Sequence, residues 1–267
     1  DSLRPTLTDR LGDAILGSTP NGRNWFFHMW AGKRRNRQSW RFPTVDNPHI
    51  DPQEVADAKD ELSARVFQQE YEAAFRDLAE AVFRHVRASA TAQEQQRAIE
   101  GHSYVLGVDW ARTGDYTAVV CIDLDLTAVV YADRWTGVEY ALQMSRIKAV
   151  VDRFAPLAVV SEVNNMGGPL SELLRNDDVP IVEFTSTNAT KLLLVDSLSL
   201  ALERQAITLL PFEPLLGELE SYESKRLASG AIRYQAPAGQ HDDLVMATML
   251  ALWGAGNASA DYSAVLM

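Results

Sequence analysis

The sequence lacks any long apolar run and has a single cysteine in 267 residues. A membrane-spanning helix needs about 20 consecutive apolar residues, and no segment approaches that length. No secretory signal pattern opens the sequence. Cys121 by itself cannot form an internal disulfide or a thiolate-zinc framework, and its apolar surroundings predict a core position. These absences favour a cytoplasmic protein with no membrane association.

A basic excess is also missing, since 25 Lys/Arg stand against 36 Asp/Glu, for a net charge of −11. That is the wrong sign for gripping nucleic acid through bulk electrostatics. It does not exclude DNA, because a carboxylate cluster becomes a cation site once it binds metal. Residues 1–100 carry 14 Lys/Arg against 15 Asp/Glu, whereas residues 101–267 carry 11 against 21. The acidic excess therefore belongs to the C-terminal part.

Acidic residues border three apolar segments of this C-terminal part. Asp109 ends a short apolar run, and Glu162 ends another at 157–162. Asp242 and Asp243 stand directly before an apolar segment that is predicted to be a helix. A buried carboxylate without a partner is costly, so each of these positions needs a cation or strong donors. Together they predict one acidic pocket.

The pattern from residue 103 onward is that of an α/β domain. Three strand-like runs with short connections predict an antiparallel meander over 103–109, 116–123 and 127–135. Apolar residues spaced three and four apart predict an amphipathic helix over 137–154. Further strands are predicted at 157–162 and 181–184, and further helices at 169–176, 189–204 and 242–253.

The N-terminal part is predicted to be mostly helical. An apolar run ending in a Gly/Ser/Thr/Pro turn predicts a short strand over 13–20, with helices following at 24–32, 52–67 and 66–78. The segment 86–101 is rich in Ala, Gln, Ser and charged residues, which predicts a linker or a solvated helix. We take it as the domain boundary.

Four segments resemble the C-terminal nuclease domain of the large terminase subunit of tailed bacteriophages. They are GVDWARTGDYTA (107–118), VVSEVNNMGGPL (159–170), TNATKLLLVDSL (187–198) and APAGQHDDLVMATMLAL (236–252). The resemblance rests on their order and spacing. It implies a ribonuclease H-like mixed β-sheet flanked by helices over residues 103–254, with a flexible tail at 255–267.

The resemblance extends to the N-terminal part. ILGSTPNG (15–22) and FQQEYEAAF (67–75) look like the end of a terminase ATPase domain. The sequence contains no GxxxxGK[ST] phosphate-binding motif. The resemblance therefore implies that residues 1–85 are a remnant of that ATPase domain, followed by a linker at 86–102. No ATPase activity is expected from this chain alone.

By the same resemblance, the acidic residues would hold two divalent ions. Two such ions activate a water nucleophile and stabilise the leaving alkoxide of a phosphodiester. Carboxylate oxygens suit Mg²⁺ or Mn²⁺. Asp109 would bridge both ions, Glu162 would hold one, and Asp242, with Asp243, would hold the other. The alternatives are a capped strand end for Asp109, a salt bridge for Glu162 and helix capping for the aspartate pair.

Three further residues are candidate auxiliaries. Asp115 lies six positions after Asp109, and it is either a water-mediated ligand or a turn residue. His241 precedes the aspartate pair and is a neighbour of the ligands, a residue near the scissile phosphate, or a structural histidine. Lys191 opens an apolar helix and is either a DNA or active-site contact or an exposed first-turn lysine.

The sequence hypothesis is thus a metal-dependent DNA endonuclease that cuts concatemeric viral DNA during genome packaging. The implied partners are double-stranded DNA, the small terminase subunit, the portal protein and the ATPase part of the full-length large terminase. The implied location is the cytoplasm of the infected bacterial host. Two alternatives stay open: another ribonuclease H-like nuclease of the resolvase or transposase type, and a non-catalytic docking module of the packaging motor.

Overall fold

The computed structural model describes residues 12–20, 25–32, 37–75, 82–111, 115–164, 167–227 and 232–258. These residues divide into two units. The first contains the described residues up to 57 together with 65–75, and the second contains 58–64 together with 82–258. The domain boundaries proposed from the sequence stay a prediction.

A five-stranded mixed sheet forms the centre of the second unit. Its strands are β1 (Tyr104–Asp109), β2 (Thr117–Asp123), β3 (Ala128–Trp135), β4 (Ala158–Glu162) and β5 (Ile181–Phe184). Their order across the sheet is β3-β2-β1-β4-β5. The first three strands form the predicted antiparallel meander, and β4 and β5 run parallel to β1. The predicted ribonuclease H-like mixed sheet is confirmed.

The helices in chain order are α1 (Trp25–Ala31), α2 (Pro52–Glu61), α3 (Ala64–Glu70), α4 (Val86–Ser89), α5 (Tyr140–Phe154), α6 (Gly167–Asn176), α7 (Asn188–Glu203), α8 (Glu213–Ser221) and α9 (Asp243–Ala258). A separate hairpin pairs β6 (Glu223–Arg226) with β7 (Ile232–Gln235), and its turn lies outside the described residues. Across the described part of the chain, every helix is too short or too polar to cross a membrane.

Two hydrophobic clusters cover the two faces of the sheet. Leu106 and Val108 of β1 pack with residues of α5 and α6 on one face. Val105 packs with residues of α7, α8 and α9 on the other. Because successive side chains of a strand alternate between faces, Asp109 shares the face of Val105. The strand thus directs its terminal carboxylate towards the α9 side.

Helix α9 lies directly on β1 because Gly107 leaves room for its backbone. A Cβ at Gly107 would stand 2.0 Å from the carbonyl oxygen of Ala247 and 2.5 Å from the amide nitrogen of Ala251. Both are backbone atoms that cannot move aside without displacing the helix. The same contact brings the first residues of α9 close to the end of β1.

The first unit has an aromatic centre of its own. Phe26, Phe27 and Trp30 of α1 contact the ring of Phe75. The strand predicted over 13–20 is wrong: this segment is irregular, and Ile15 is 92% exposed. Strands gain their hydrogen bonds from neighbours, and the described residues of this unit contain no strand that could pair with it.

The segment 86–101 belongs to the second unit and is hydrogen-bonded to other parts of it. After the short helix α4, the amide of Ala92 donates to the carbonyl of Leu209, that of Gln95 to Val130, and that of Ala98 to Arg153. The solvated-helix interpretation is therefore wrong, because most of the segment is irregular and is anchored by backbone hydrogen bonds. At the other end, α9 continues to Ala258, so residues 255–258 of the expected tail are helical. Residues 259–267 lie outside the described part.

Candidate metal centre

The first two carboxylates of the candidate site come from adjacent parallel strands. β1 pairs with β4 so that Val108 lies opposite Ser161. The next step in this register places Asp109 beside Glu162, on the face that α9 covers. Both residues are half-buried. The strand geometry therefore brings together two of the predicted ligands.

The other two carboxylates come from the start of α9. The carbonyl of Asp242 accepts the first helical bond, from the amide of Met246 at 2.8 Å. Asp243 opens the helix, and its residue is 5% exposed. The side chain of Asp242 is 32% exposed. Asp243 is thus buried, whereas the side chain of Asp242 is partly exposed to solvent.

The electrostatics of the site link all four acidic residues. Burial raises the pKa of Asp109 well above its usual range, and the charges of Glu162, Asp243 and Asp242 raise it further. Burial likewise raises the pKa of Asp243 to about 8, with the charges of Asp115 and Glu218 adding to it. Such mutual repulsion marks a cluster that gains from a bound cation.

Lys191 supplies a positive charge to this cluster. Its Nζ lies 3.3 Å from Oδ2 of Asp242 and 5.7 Å from the centroid of the Tyr222 ring. Its charge lowers the pKa of Asp109, opposing the acidic neighbours. The side chain is 24% exposed, so the interpretation as an exposed first-turn lysine is wrong.

Asp115 and His241 lie beside Asp243. Nδ1 of His241 is 3.0 Å from Oδ1 of Asp115 and 3.6 Å from Oδ2 of Asp243. One ligand atom from each of the three residues lies within 4.8 Å of the other two. Asp115 also accepts a bond from the amide of Tyr116 at 3.2 Å, as a turn residue would. It therefore joins the turn to the acidic cluster.

The donor set fits a hard divalent cation. Oδ2 of Asp243 is buried and has no hydrogen-bond partner within the described residues. A buried carboxylate oxygen without a donor is costly unless a cation satisfies it. The surrounding atoms are carboxylate oxygens, which Mg²⁺ and Mn²⁺ prefer, with one imidazole nitrogen at the edge. The residues present therefore suit such an ion.

Asn164 is a site residue that the sequence reasoning did not single out. Its Nδ2 donates to Oε1 of Glu162 at 2.7 Å and to the carbonyl of Ser186 at 2.9 Å. These bonds fix the orientation of the Glu162 carboxylate between β4 and the segment before α7. Its place two residues after Glu162 was the available signal.

Glu218 and Tyr222 were missed as well. Oε2 of Glu218 accepts bonds from the amides of Leu244 at 2.8 Å and Val245 at 3.3 Å, the first free amides of α9. The hydroxyl of Tyr222 is buried without a partner among the described residues. Burial raises its pKa well above the usual value, and the charge of Asp242 raises it further. An acidic residue within an apolar helix was the only signal for Glu218.

An antiparallel meander followed by two parallel strands defines the ribonuclease H-like class of folds. The acidic residues occupy the ends of its first and fourth strands and the start of its last helix. A family model described as Terminase RNaseH-like domain matches residues 106–253. The chain belongs to this family, and the resemblance stated from the sequence is confirmed.

Curated relatives agree with this assignment. The large terminase subunits of Thermus virus P23-45 and Thermus phage G20c are each 26% identical to the chain over 280 aligned residues. Each alignment covers 94% of the chain and 57% of the relative. The large terminase subunit of Escherichia phage T5 is 38% identical over 77 residues, covering 27% of the chain and 18% of that protein. The chain thus spans little more than half of the Thermus relatives.

Solved structures share the fold. The large terminase nuclease of thermophilic phage G20c superposes with a TM-score of 0.60 at 24% identity, covering 65% of this chain and 97% of that one. Structures of the same nuclease with bound magnesium and with bound cobalt give the same score. The large terminase of a second thermophilic bacteriophage has a TM-score of 0.64 at 15% identity, covering 87% of this chain and 60% of that one.

Proposed function

We propose that this chain is a divalent-metal-dependent DNA endonuclease that cuts concatemeric viral DNA during genome packaging. The observation that carries the proposal is the convergence of Asp109, Glu162, Asp242 and Asp243, with a buried oxygen on Asp243 that accepts no hydrogen bond from the described residues. A cluster of this kind has no evident structural use. Helix capping, the simplest alternative, accounts for the aspartate pair alone and leaves the burial of Asp109 beside Glu162 unexplained.

The proposal gives each carboxylate a separate place. Asp109 is coupled electrostatically to the other three acids and is the ligand that two ions would share. Glu162, held by Asn164, would hold one ion, and Asp242 with Asp243 would hold the other. When bound, divalent ions activate a water nucleophile and stabilise the leaving alkoxide. The residues themselves fix the ligand positions before DNA arrives.

Lys191, His241 and Asp115 have auxiliary roles in this proposal. Lys191 neutralises Asp242 in the metal-free protein and is free to contact a DNA phosphate once Asp242 binds an ion. His241 lies between Asp115 and Asp243 and can hold a proton at Nδ1. Asp115 thereby orients the imidazole and keeps the turn after β1 next to α9.

Mg²⁺ and Mn²⁺ are the proposed ions because the site offers mainly carboxylate oxygens. The G20c nuclease, which shares the fold, has been solved with bound magnesium, cobalt and zinc. These structures support divalent-metal binding by a nuclease of this fold. The preference for Mg²⁺ or Mn²⁺ rests on the donor set of this chain.

The proposed partners follow from the family. Double-stranded DNA is the substrate, and the ATPase part of a full-length large terminase would move it. The small terminase subunit and the portal protein would direct the cut. The N-terminal residues are proposed to belong to the end of that ATPase domain, so ATP turnover is not expected here. The proposed location is the cytoplasm of the infected host.

The test is nicking of supercoiled plasmid with Mn²⁺, Mg²⁺ or EDTA, using the parent chain and Asp109→Asn. The expected result is cleavage by the parent with either ion, no cleavage with EDTA, and background cleavage by the variant. Calorimetry with Mn²⁺ accompanies it. A parent chain that neither cuts DNA nor binds Mn²⁺ would leave the docking-module alternative standing.

A further inference from the structure

Two amides in the first turn of helix α9 donate hydrogen bonds to a side chain from another helix. The first amides of a helix have no partner inside it. Here Glu218 of α8 accepts from the amides of both Leu244 and Val245. The acceptor is therefore a charged group placed at the positive end of the helix dipole, where it is most favourable. Its contacts begin one residue after Asp243.

Glu218 has a cationic partner on the sheet. Its Oε1 forms an ion pair with Nη1 of Arg134 in β3. Glu218 is 6% exposed, so its carboxylate is shielded from solvent. Removing Arg134 would therefore leave a buried charge without its partner. Both oxygens of this buried carboxylate are already engaged, Oε2 by two amide donors and Oε1 by a guanidinium. It is therefore not available as a metal ligand.

Arg134 also contacts Tyr116, which follows the Asp115 turn. Its guanidinium carbon lies 4.5 Å from the centroid of the Tyr116 ring. That ring meets His241 edge-on, with centroids 4.7 Å apart. His241 in turn contacts Asp115 and Asp243. A continuous set of contacts thus joins Glu218 to the carboxylates of Asp115 and Asp243.

We infer that Glu218 and Arg134 are positioning residues that hold the α9 aspartates and the Asp115 turn in the arrangement that binds metal. Glu218 fixes where α9 begins, and Arg134 sets the distance from that point to Tyr116. The inference rests on the proposed function for what the pocket binds. The proposed role of this buried ion pair is to maintain metal affinity, although neither residue is itself a metal ligand.

Helix α8, which carries Glu218, also offers a matched control. Glu220, two residues further along α8, pairs with Arg87 through Oε1 at 2.9 Å. The side chains of Glu220 and Arg87 are 42% and 51% exposed. Substituting Glu220→Gln therefore removes a carboxylate from α8 without touching α9. Any effect common to both variants is a property of α8 itself.

The experiment compares Glu218→Gln with Glu220→Gln and the parent. Mn²⁺ affinity is measured by calorimetry, and the environment of bound Mn²⁺ by electron paramagnetic resonance. Glutamine keeps the shape, but its amide cannot bond to Arg134 as the carboxylate does. Changes behind metal ligands typically weaken affinity about 10–100-fold, and this range is expected for Glu218→Gln. Glu220→Gln should match the parent.

Rescue separates positioning from loss of fold. Nicking by Glu218→Gln should recover at higher Mn²⁺, whereas Asp109→Asn should not. If Glu218→Gln is poorly folded because Arg134 is left unpaired, Glu218→Gln/Arg134→Gln removes both charges and carries the same comparison. Parent-like Mn²⁺ affinity in a folded Glu218 variant would overturn the inference. Absence of Mn²⁺ binding by the parent would instead refute the proposed function.

Discussion

Nζ of Lys191, in the first turn of α7, lies 3.3 Å from Oδ2 of Asp242, at the N-terminus of α9. The lysine therefore competes with a metal ion for this carboxylate. We predict that Lys191→Met binds Mn²⁺ in the absence of DNA at least as tightly as the parent, while nicking falls because a phosphate contact is lost. Calorimetry and plasmid nicking measure the two effects.

The control is Lys148→Met, which removes an exposed lysine that lies 3.6 Å from Asp177 on the surface. Surface pairs of this kind contribute about 0–1 kcal/mol, so both readouts should stay unchanged. Weaker Mn²⁺ binding by Lys191→Met alone would contradict the competition between lysine and metal.

The acidic residues should separate by role. Asp109→Asn removes the ligand proposed to be shared by both ions, so cleavage should fall to background. Asp115→Asn removes an outer contact, and about 10–100-fold lower activity is expected, with partial recovery at higher Mn²⁺. Asp243→Asn should lie between them, because asparagine can still serve at a helix start. The measurement is nicking across a Mn²⁺ series.

All three variants should stay folded, since each removes one of several clustered negative charges. Circular dichroism is the folding control for this series. Full cleavage by Asp109→Asn would show that the carboxylate pocket is not the active site.

The strand-end carboxylates were predictable because sheet geometry is repetitive. Once β1 and β4 are recognised as parallel neighbours, Asp109 and Glu162 must lie at one edge of the sheet. The aspartate pair was predictable because it directly precedes a strongly apolar helix. These inferences need only local pattern and strand order.

The contacts that Glu218 and Arg134 make behind the acidic residues were not predictable in the same way. Glu218 and Leu244 are 26 positions apart, and their contact depends on how α8 packs against the start of α9. Arg134 is a charged residue in a strand, a pattern that also describes many surface positions. The error at 13–20 has a similar origin, since an apolar run becomes a strand only where a neighbour can pair with it.

Divalent ions should stabilise the folded protein. Asp109, Glu162, Asp242 and Asp243 repel one another without a cation, and an ion that binds only the folded state stabilises it by mass action. At 100 times the dissociation constant the gain is about 2.7 kcal/mol, which corresponds to a melting temperature about 5–10 °C higher. Differential scanning fluorimetry with millimolar Mn²⁺ measures it, and EDTA should reverse it.

The comparison for this prediction is Asp109→Asn under the same conditions. Its metal-free melting temperature should be at or above that of the parent, and its response to Mn²⁺ should be smaller. An equal rise in both proteins would indicate binding elsewhere.

The pair His102 and Asp123 should make stability depend on pH at the far end of β1. Nδ1 of His102 lies 2.8 Å from Oδ2 of Asp123, which is fully buried. The hydrogen bond that His102 donates to the Asp123 carboxylate raises the pKa of His102. Burial pushes the pKa of Asp123 up, but bonds from His102 and Gln95 outweigh it and the pKa is lowered.

The sign follows from these two directions. The contribution of Asp123 is present above about pH 4 and is lost as pH falls through its lowered pKa. That of His102 is full below about pH 6.5 and is lost as pH rises through its raised pKa. The melting temperature of His102→Gln should therefore differ most from the parent between about pH 4 and 6.5. His49→Gln, at an exposed position, is the control, and a pH-independent difference would contradict the prediction.

The hairpin β6–β7 should contact DNA through two opposed cations. Lys225 and Arg233 are exposed and lie directly opposite each other. Like charges in that position repel, which an anionic partner would relieve. The hairpin starts one residue after Tyr222, whose ring centroid lies 5.7 Å from Nζ of Lys191, so the hairpin begins beside the candidate metal centre.

Lys225→Gln/Arg233→Gln should weaken DNA binding at low salt without changing Mn²⁺ affinity. Each lost phosphate contact lowers the salt slope of the binding constant by about 0.9, so the double variant should lose about 2 from it. The free protein should be slightly more stable, because a repulsive cross-strand pair is gone. Fluorescence anisotropy across a salt series measures the slope, with Lys148→Gln as the matched surface control. An unchanged slope in the double variant would place the DNA path on another surface, since counterion release counts phosphate contacts irrespective of sequence.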